Sequence, residues 1–434
     1  MPKIVIMNQG TGHARGYDPS RSEPLRKSVG RCMWFADQGD IIISPIPIEP
    51  DFLNSVADIL GFDVNSVSVI VMDHLRAEGL LLSEDDIQSI KEMVLDPGLW
   101  SIMPCFWTPD VAQFALQLGL GNSVTLAFAA QRGPDLFNRK QHFRQFAAGA
   151  SVPIPEGSIV HSVADLARAI ERHLPRTGTI IVKKDDSAGG LGNITITNGS
   201  VKALPGSRDT RKIGDALAQA ASLWDELTDS DSLSLVVEAY YDISHSFYFE
   251  YFIGDDGVPL YLHSGDIRLQ NSDDANETEL VWIGLDTPTS TPHSSLANAL
   301  SFSYRLVELM ARIGCRGHIN IDAIVTIEGE LMFNESNLRW GGGTSLHTIG
   351  QTLLGTNFAD EHMLSLVRGM KCPPRAETVR VLHEHALQFS ADSQEGVIIL
   401  ASDEHEAGTM ECLVIGRSRQ RVRELEVSLR GALD

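Results

Sequence analysis

The sequence lacks a hydrophobic run long enough to cross a membrane, and the apolar stretch near its start covers only residues 4–7. A transmembrane helix needs about 20 apolar residues, and a secretory signal needs a longer apolar core than four residues. We therefore expect a cytoplasmic protein without a membrane partner.

Basic residues are also scarce. The 434 residues include 35 Lys and Arg against 57 Asp and Glu, which gives a formal net charge of −22. A nucleic-acid partner needs a basic face to neutralise phosphates, so the balance argues against one. The five cysteines contain no C-x-x-C pair. Their spacing disfavours a zinc site and a disulfide framework, and fits a reducing compartment.

The order of predicted elements indicates α/β and α+β architecture. Predicted strands at 4–7, 40–44 and 67–72 alternate with helices such as 51–60, which is typical of a parallel sheet. Later strands pair as hairpins around 254–257 and around Glu328-Gly329. Further predicted elements are a helix at 137–150, a strand at 179–184, a helix at 212–227, a strand at 233–238, a helix at 295–313, a mobile loop at 271–279, and tail strands at 396–401 and 410–415 before a last helix.

The second hairpin carries the strongest chemical signal. Asp322 lies 13 residues before Glu335, and Asn337 follows two residues later. Residues i and i+2 of a strand face the same way, so Glu335 and Asn337 should point together toward Asp322. Three oxygen donors suit Mg²⁺, which commonly shares substrate phosphates. Arg339 can share that face.

A second signal is a lysine at a strand end followed by a loop of small residues. Lys183 ends a predicted strand, and the loop over 187–192 contains Ser187, Gly189, Gly190 and Gly192. An ammonium group and backbone N–H groups can hold phosphates there. No Gly-Lys-Ser/Thr follows, so the segment is not a Walker A loop, and an ordinary surface turn is the alternative.

A third signal is the strand that reaches Glu238 and continues into Tyr240-Tyr241. Extended backbone after Glu238 can read an adenine edge, with the carboxylate accepting from the amino group. The two tyrosines can serve as an adenine clamp or simply as core residues.

In this order and spacing, the motifs resemble the ATP-grasp superfamily over about residues 135–375. The resemblance assigns phosphate binding to Lys140 and Lys183, the phosphate-covering loop to 187–192, nucleotide contacts to Glu238 and Tyr240, and metal binding to Asp322, Glu335 and Asn337. It implies ATP and Mg²⁺ as cofactors. It also implies a pre-ATP-grasp α/β domain at 1–133, a nucleotide-lid subdomain at 134–240, a central subdomain at 241–375 and a small α/β appendage at 376–434.

Within the superfamily, the Asn8-Gln-Gly-Thr-Gly opening and the run from Asn334 to Ser345 resemble peptide ligases of pheganomycin biosynthesis. The resemblance implies an ATP-dependent carboxylate–amine ligase of antibiotic biosynthesis that works through an acyl phosphate. Its expected partners are a guanidino-aryl carboxylic acid and the amino end of a peptide, and a homodimer is the expected assembly.

Two positions depart from the family pattern. His245 stands where an acid often binds the ribose, and we place His245 among the nucleotide contacts. Asn320 stands where relatives carry an arginine two residues before the first metal acid. Arg268 and Arg339 are therefore the candidates to hold the reacting carboxyl and phosphoryl groups.

Two alternatives stay open. One is a ligase that uses a free amino acid or another amine as nucleophile. The other is a non-catalytic ATP-binding protein that retains the fold, which the complete metal triad disfavours.

Overall fold

The computed structural model describes residues 1–8, 29–72, 83–187, 189–190, 192–229, 232–271, 279–402 and 408–434. The glycine-rich part of the opening motif, residues 9–12, lies outside these ranges, as does most of the predicted loop at 271–279. No helix in the described ranges is both long enough and apolar enough to span a membrane.

The amino-terminal block contains a four-stranded sheet in the order β3-β2-β1-β4, with every pairing parallel. The alternation of strands and helices predicted from the sequence is therefore confirmed. Its strands are β1 (Lys3–Ile6), β2 (Ile41–Ser44), β3 (Ser68–Val71) and β4 (Ser101–Pro104). Its α-helices are α1 (Pro50–Leu60), α2 (Glu84–Met93), α3 (Pro109–Leu118) and α4 (Ser123–Ala130), beside 3₁₀ turns at Gly30–Phe35, Val64–Ser66 and Pro97–Leu99.

The middle block is a five-stranded sheet in the order β5-β10-β6-β7-β9. Its elements and the two helices that lead into it are α5 (Asp135–Asn138), α6 (Lys140–Gly149), β5 (Gly157–Val160), α7 (Val163–Thr177), β6 (Thr179–Lys184), β7 (Asn193–Thr197), β8 (Leu204–Pro205), β9 (Asp209–Lys212), α8 (Ala216–Leu227) and β10 (Leu235–Ala239). The helix predicted at 212–227 begins later, because Lys212 pairs with Thr197 in the sheet and the Asp215 side chain caps the helix at Ala218 N.

The large sheet has the order β15-β14-β11-β12-β13-β16-β18-β17, and β8 pairs with β13. Both predicted hairpins are present in it. Its elements are β11 (Ile243–Ile253), β12 (Pro259–Asn271), β13 (Glu279–Thr287), α9 (His293–Arg312), β14 (Gly317–Thr326), β15 (Leu331–Asn337), α10 (Gly342–Leu354), α11 (Phe358–Glu361), β16 (Met363–Cys372), α12 (Arg375–Glu384), β17 (Gly396–Ala401), β18 (Gly408–Gly416) and α13 (Arg419–Leu433).

The tail does not form a sheet of its own. β18 pairs with β16, so the two tail strands extend the large sheet. The amino-terminal block also contacts them: Trp34 Nε1 donates to the Leu400 carbonyl at 3.2 Å, and Arg31 lies 3.0 Å from Glu411. One buried hydrophobic cluster contains residues of both regions. The predicted appendage is thus continuous with the body of the protein.

Candidate functional site

The β14–β15 hairpin brings the two predicted metal acids side by side. Asp322 is directly opposite Glu335, and Asn320 is opposite Asn337. The pairing shifts by one residue next to Asp322, where Asn334 is passed over. Because residues two apart share a face, Glu335 and Asn337 point to the same side as Asp322. The hairpin therefore presents two carboxylates and one amide on a single surface.

The electrostatics of this pair favour an additional positive charge. Burial and the adjacent Glu335 carboxylate raise the pKa of Asp322 well above its ordinary value. Burial also acts to raise the pKa of Glu335, but Lys140, Lys183 and Arg339 outweigh it and lower that pKa to about 2. Glu335 thus stays ionised, and a cation bound beside the pair would favour the ionised form of Asp322.

Lys140 contacts this pair from the first turn of α6. Its Nζ lies 3.1 Å from Glu335 Oε2 and also donates to the Ser187 carbonyl. Asp185, which is fully buried, fixes the start of the helix: it accepts hydrogen bonds from Gln141 N at 2.8 Å and Gln141 Nε2 at 2.9 Å. A carboxylate at a helix amino terminus satisfies free N–H groups there. Sequence patterns alone do not indicate this role of Asp185.

Lys183 lies on β6 and faces Glu238 on β10. Its Nζ is 2.6 Å from Glu238 Oε2, while Arg144 binds the other carboxylate oxygen. Burial acts to raise the pKa of Glu238, but Lys183 and Arg144 reverse that effect and lower it. Glu238 therefore holds two cations in this structure, a role that differs from the predicted contact with an adenine amino group. Sequence patterns do not identify Arg144 as a site residue, because it lies 94 residues before its partner Glu238.

The loop after β6 follows the predicted small-residue pattern in its described part. Gly189 and Gly190 have φ angles of +66° and +80°, which disfavour residues with a side chain. A Cβ at Gly192 would come within 2.1 Å of Ser187 Oγ. The loop is closed by a hydrogen bond of 3.0 Å from Asn193 N to the Gly190 carbonyl. Its backbone thus runs beside Lys140, which contacts Ser187.

Arg339 completes the positive side of the site. Its guanidinium lies 5.6 Å from the centre of the Phe106 ring and 3.3 Å from Asn138 Oδ1. Burial lowers its pKa, partly opposed by Glu335. Phe106 follows β4 and is fixed by Asn8, which exchanges hydrogen bonds of 2.8 and 2.9 Å with its backbone. Residues that follow the carboxyl ends of the parallel strands β1 and β4 therefore form one side of the site, as is common for ligand clefts in such sheets.

Arg268 is not part of this cluster. Asp322 is in register with Tyr248, which is in register with Gly265. Arg268 follows Gly265 by three residues, so it lies on the opposite face of the sheet. There it binds both carboxylate oxygens of Glu426 on α13, at 2.7 and 2.9 Å. The prediction that Arg268 holds the reacting group therefore does not fit the structure, which leaves Arg339.

We expect Arg268→Met to change stability rather than nucleotide binding. Removing the guanidinium leaves Glu426 buried with one partner fewer, which should lower the free energy of unfolding by about 2 kcal/mol. Urea unfolding and an ATP titration measure the two properties. The double variant Arg268→Met/Glu426→Leu is the matched control and should recover most of the loss. A weakened ATP affinity with an unchanged free energy of unfolding would instead support a role for Arg268 in nucleotide binding.

Tyr240 and His245 lie apart from the acidic pair. Tyr240 donates through its hydroxyl to the Pro205 carbonyl at 3.2 Å, and burial raises its pKa. His245 pairs with Val325, three positions along β14 from Asp322, and its ring contacts Ser244 Oγ at 3.1 Å. By strand alternation it faces away from Asp322. The structure thus does not bring these two residues to the metal end of the site.

The donor set is suitable for a hard divalent cation. Asp322, Glu335 and Asn337 offer carboxylate and amide oxygens, and the raised pKa of Asp322 is the expected result of two neighbouring acids without a counter-cation. In the described ranges no three His, Cys, Asp or Glu side chains converge on a metal position. Two carboxylates with an amide leave room for phosphate oxygens to complete the coordination.

Two segments match family models. Residues 29–120 match the model described as the pre ATP-grasp domain, and residues 377–429 match that of the PGM1 C-terminal domain. No curated protein matches the chain by sequence.

Solved structures resemble the chain over nearly its whole length. The ADP complex of the N5-carboxyaminoimidazole ribonucleotide synthetase purK is 12% identical with a TM-score of 0.56, and 99% of this chain and 95% of that chain are covered. The biotin carboxylase-β-γ-ATP complex from Campylobacter jejuni is 13% identical with a TM-score of 0.55, and 98% of this chain and 90% of that chain are covered. The ADP complex of N5-carboxyaminoimidazole synthetase from Staphylococcus aureus is 12% identical with a TM-score of 0.55, covering 100% and 97%.

These similarities establish the fold. The chain has the ATP-grasp fold preceded by a pre-ATP-grasp domain, and the predicted fold class is confirmed. At 12–13% identity the likeness to these structures concerns the fold alone.

Proposed function

We propose that the chain is an ATP-dependent carboxylate–amine ligase that forms an amide bond through an acyl phosphate. The observation that carries this proposal is the Asp322–Glu335 pair with Lys140 bound to it. A pair of acids can hold a divalent metal ion, and a nearby lysine and arginine can bind the phosphates that share it. The nucleotide complexes among the similar structures support it.

In this proposal Lys140 and Lys183 bind phosphate oxygens. Both side chains are nearly buried and already oriented by acids, Glu335 and Glu238. The backbone of the loop containing Gly189 and Gly190 covers the phosphates. Glu238 and Arg144 orient Lys183, while Tyr240 and His245 remain proposed contacts for the base and ribose. Because an acyl phosphate hydrolyses in water, a covering loop protects it.

Asp322, Glu335 and Asn337 would hold Mg²⁺, which when bound neutralises phosphate charge and lets both acids ionise. Arg339, on the same face, stabilises the charge that develops on the transferring phosphoryl group and on the acyl oxygen. No side chain acts as a covalent nucleophile. The protein contributes orientation, charge and exclusion of water.

The reaction has two steps. A substrate carboxylate attacks the γ-phosphorus of ATP, which breaks the bond to ADP and gives an acyl phosphate. An amine then attacks the acyl carbon, phosphate leaves, and the amine loses a proton. ADP, phosphate and an amide are the products in equal amounts.

We propose in addition that the acid is a guanidino-aryl acid and the amine is the amino end of a peptide. The supporting observations are the Asn8-Gln-Gly-Thr-Gly opening and the run that contains Glu335, Asn337 and Arg339, which resemble peptide ligases of pheganomycin biosynthesis. A role in antibiotic biosynthesis and a homodimeric assembly belong to the same proposal.

Mass spectrometry of the products tests the acceptor. The purified chain is incubated with ATP, Mg²⁺ and arylacetic acids with and without a guanidino group, together with either short peptides or free amino acids. We expect amides of peptides from the guanidino acids. Amides of free amino acids alone would favour the other ligase class and contradict the peptide assignment.

A further inference from the structure

The polar face of β14 continues beyond the metal ligands. His318, Asn320 and Asp322 alternate along the strand, so they share one face. At about 3.3 Å per residue, the His318 Cα lies about 13 Å from that of Asp322. In the proposed reaction, the phosphoryl group, the acyl carbon and the attacking amine would lie between a metal at Asp322 and the imidazole ring.

His318 lies beside the Glu250 carboxylate, which has no lysine or arginine partner among the described residues. Glu250 on β11 is fully buried, and within the described ranges no Lys or Arg forms an ion pair with it. It accepts from Thr344 Oγ1 at 2.7 Å and from Asn320 Nδ2 at 3.3 Å. Its Oε1 lies 3.4 Å from His318 Nδ1. A buried carboxylate is costly without a cation, so its presence calls for a reason.

The orientation of the ring follows from this contact. Nδ1 is buried and forms no hydrogen bond with the described residues, and Glu250 Oε1 lies 3.4 Å from it. We place the proton on Nδ1, the nitrogen nearer Glu250, which leaves the lone pair on Nε2. The His318 side chain keeps 12% of its surface exposed, whereas that of Glu250 keeps none. The ring packs on Phe252, with centroids 5.0 Å apart.

We infer that His318 is the general base that takes the proton from the attacking amine, with Glu250 as its positioning residue. The inference rests on the proposed ligase function. The nitrogen–carbon bond forms as the carbon–oxygen bond to phosphate breaks, the electron pair leaves with phosphate, and the amine proton moves to Nε2. Release of that proton to water resets the ring. Nothing is oxidised or reduced.

The titratable groups around His318 are less suited than His318 itself to act as the general base. These groups are Glu250 on β11, His263 on β12 and His347 on α10. Burial lowers the pKa of both His263 and His347 to about 4, so both stay neutral near pH 7. Among these three groups, the Glu250 carboxylate is the one that lies within 3.4 Å of the His318 ring.

The test compares two nucleophiles in His318→Gln and the wild type. Hydroxylamine is largely unprotonated at neutral pH, so it traps an acyl phosphate without a base. A peptide amino group, with a pKa of about 7.7–8.0, is partly protonated and needs one. In His318→Gln we expect hydroxamate formation close to the wild-type rate and amide formation slower by about 10²-fold. Raising the pH above 8 should restore much of the amide rate in the variant.

Two further variants keep the outcome interpretable. His385→Gln, at an exposed position on the tail, is the matched control and should behave as the wild type. Glu250→Gln retains the shape but replaces the carboxylate beside Nδ1 by a neutral amide, and it should lower the turnover number for peptides while leaving their KM unchanged. Equal amide rates in the wild type and His318→Gln would overturn the assignment of His318 alone. Wild-type protein that forms neither hydroxamate nor amide would overturn the proposed function with it.

Discussion

Replacing Asp322 by Asn is expected to reduce ATP-dependent ligation by about 10³-fold, because a metal ion contributes several kcal/mol of charge stabilisation and each 1.4 kcal/mol is tenfold in rate. The change keeps the size of the side chain and removes one anionic oxygen from the pair with Glu335. Release of ADP, followed with a saturating carboxylic acid and hydroxylamine, measures it. Glu335→Gln should have a similar effect.

The same substitution should not weaken the fold, and this separates a metal ligand from a structural acid. The pKa of Asp322 is raised in the folded chain, so its contribution to stability is full at low pH and declines as pH rises through the unfolded value of about 3.9 toward the folded one. Without Mg²⁺, Asp322→Asn should therefore be at least as stable as the wild type at pH 7. Near wild-type turnover, or clear destabilisation at pH 7, would contradict the metal assignment.

Lys183→Met is expected to raise the dissociation constant for ATP by about 10–100-fold, since a hydrogen bond to a charged group contributes about 1.5–3 kcal/mol. Lys183 points at Glu238, whose other oxygen remains bound by Arg144, so the acid keeps a cation in the variant. Calorimetric titration with a non-hydrolysable ATP analogue and Mg²⁺ gives the constant directly.

The neighbouring lysine offers a matched control. Lys184 precedes the same loop, but its Nζ lies 2.6 Å from Asp229. Lys184→Met should leave the ATP constant near the wild-type value. If both substitutions weakened binding equally, or Lys183→Met did not weaken it, the phosphate role of Lys183 would be refuted.

The parts of the site that local sequence determines were predictable. The turn brings the strand that carries Asp322 beside the strand that carries Glu335, because a short turn limits how the strands can pair. The direct apposition of Asp322 and Glu335 depends in addition on the one-residue register shift at Asn334, which the turn does not determine. The face shared by Glu335 and Asn337 follows from strand alternation alone. The glycine positions after Lys183 likewise indicate left-handed backbone, which Gly189 and Gly190 adopt.

The features that could not be predicted depend on contacts between residues that are far apart in the sequence. Arg268 was a plausible site residue until α13 brought Glu426, 158 residues away, against it. Nothing local in the sequence indicates that β18 of the predicted appendage pairs with β16 and so extends the large sheet. No sequence pattern identifies Glu250, because its partners His318 and Thr344 are far from it in the sequence and come close only when the sheet and α10 fold.

The central claim is that this chain couples ATP cleavage to formation of an amide. The most direct measurement is the stoichiometry of ADP, phosphate and amide, by chromatography and mass spectrometry, with ATP, Mg²⁺, a panel of arylacetic acids and a peptide acceptor. The account predicts the three products in equal amounts, dependent on acid, amine and Mg²⁺ together. AMP and pyrophosphate as products, or ATP binding without cleavage in every mixture, would contradict it.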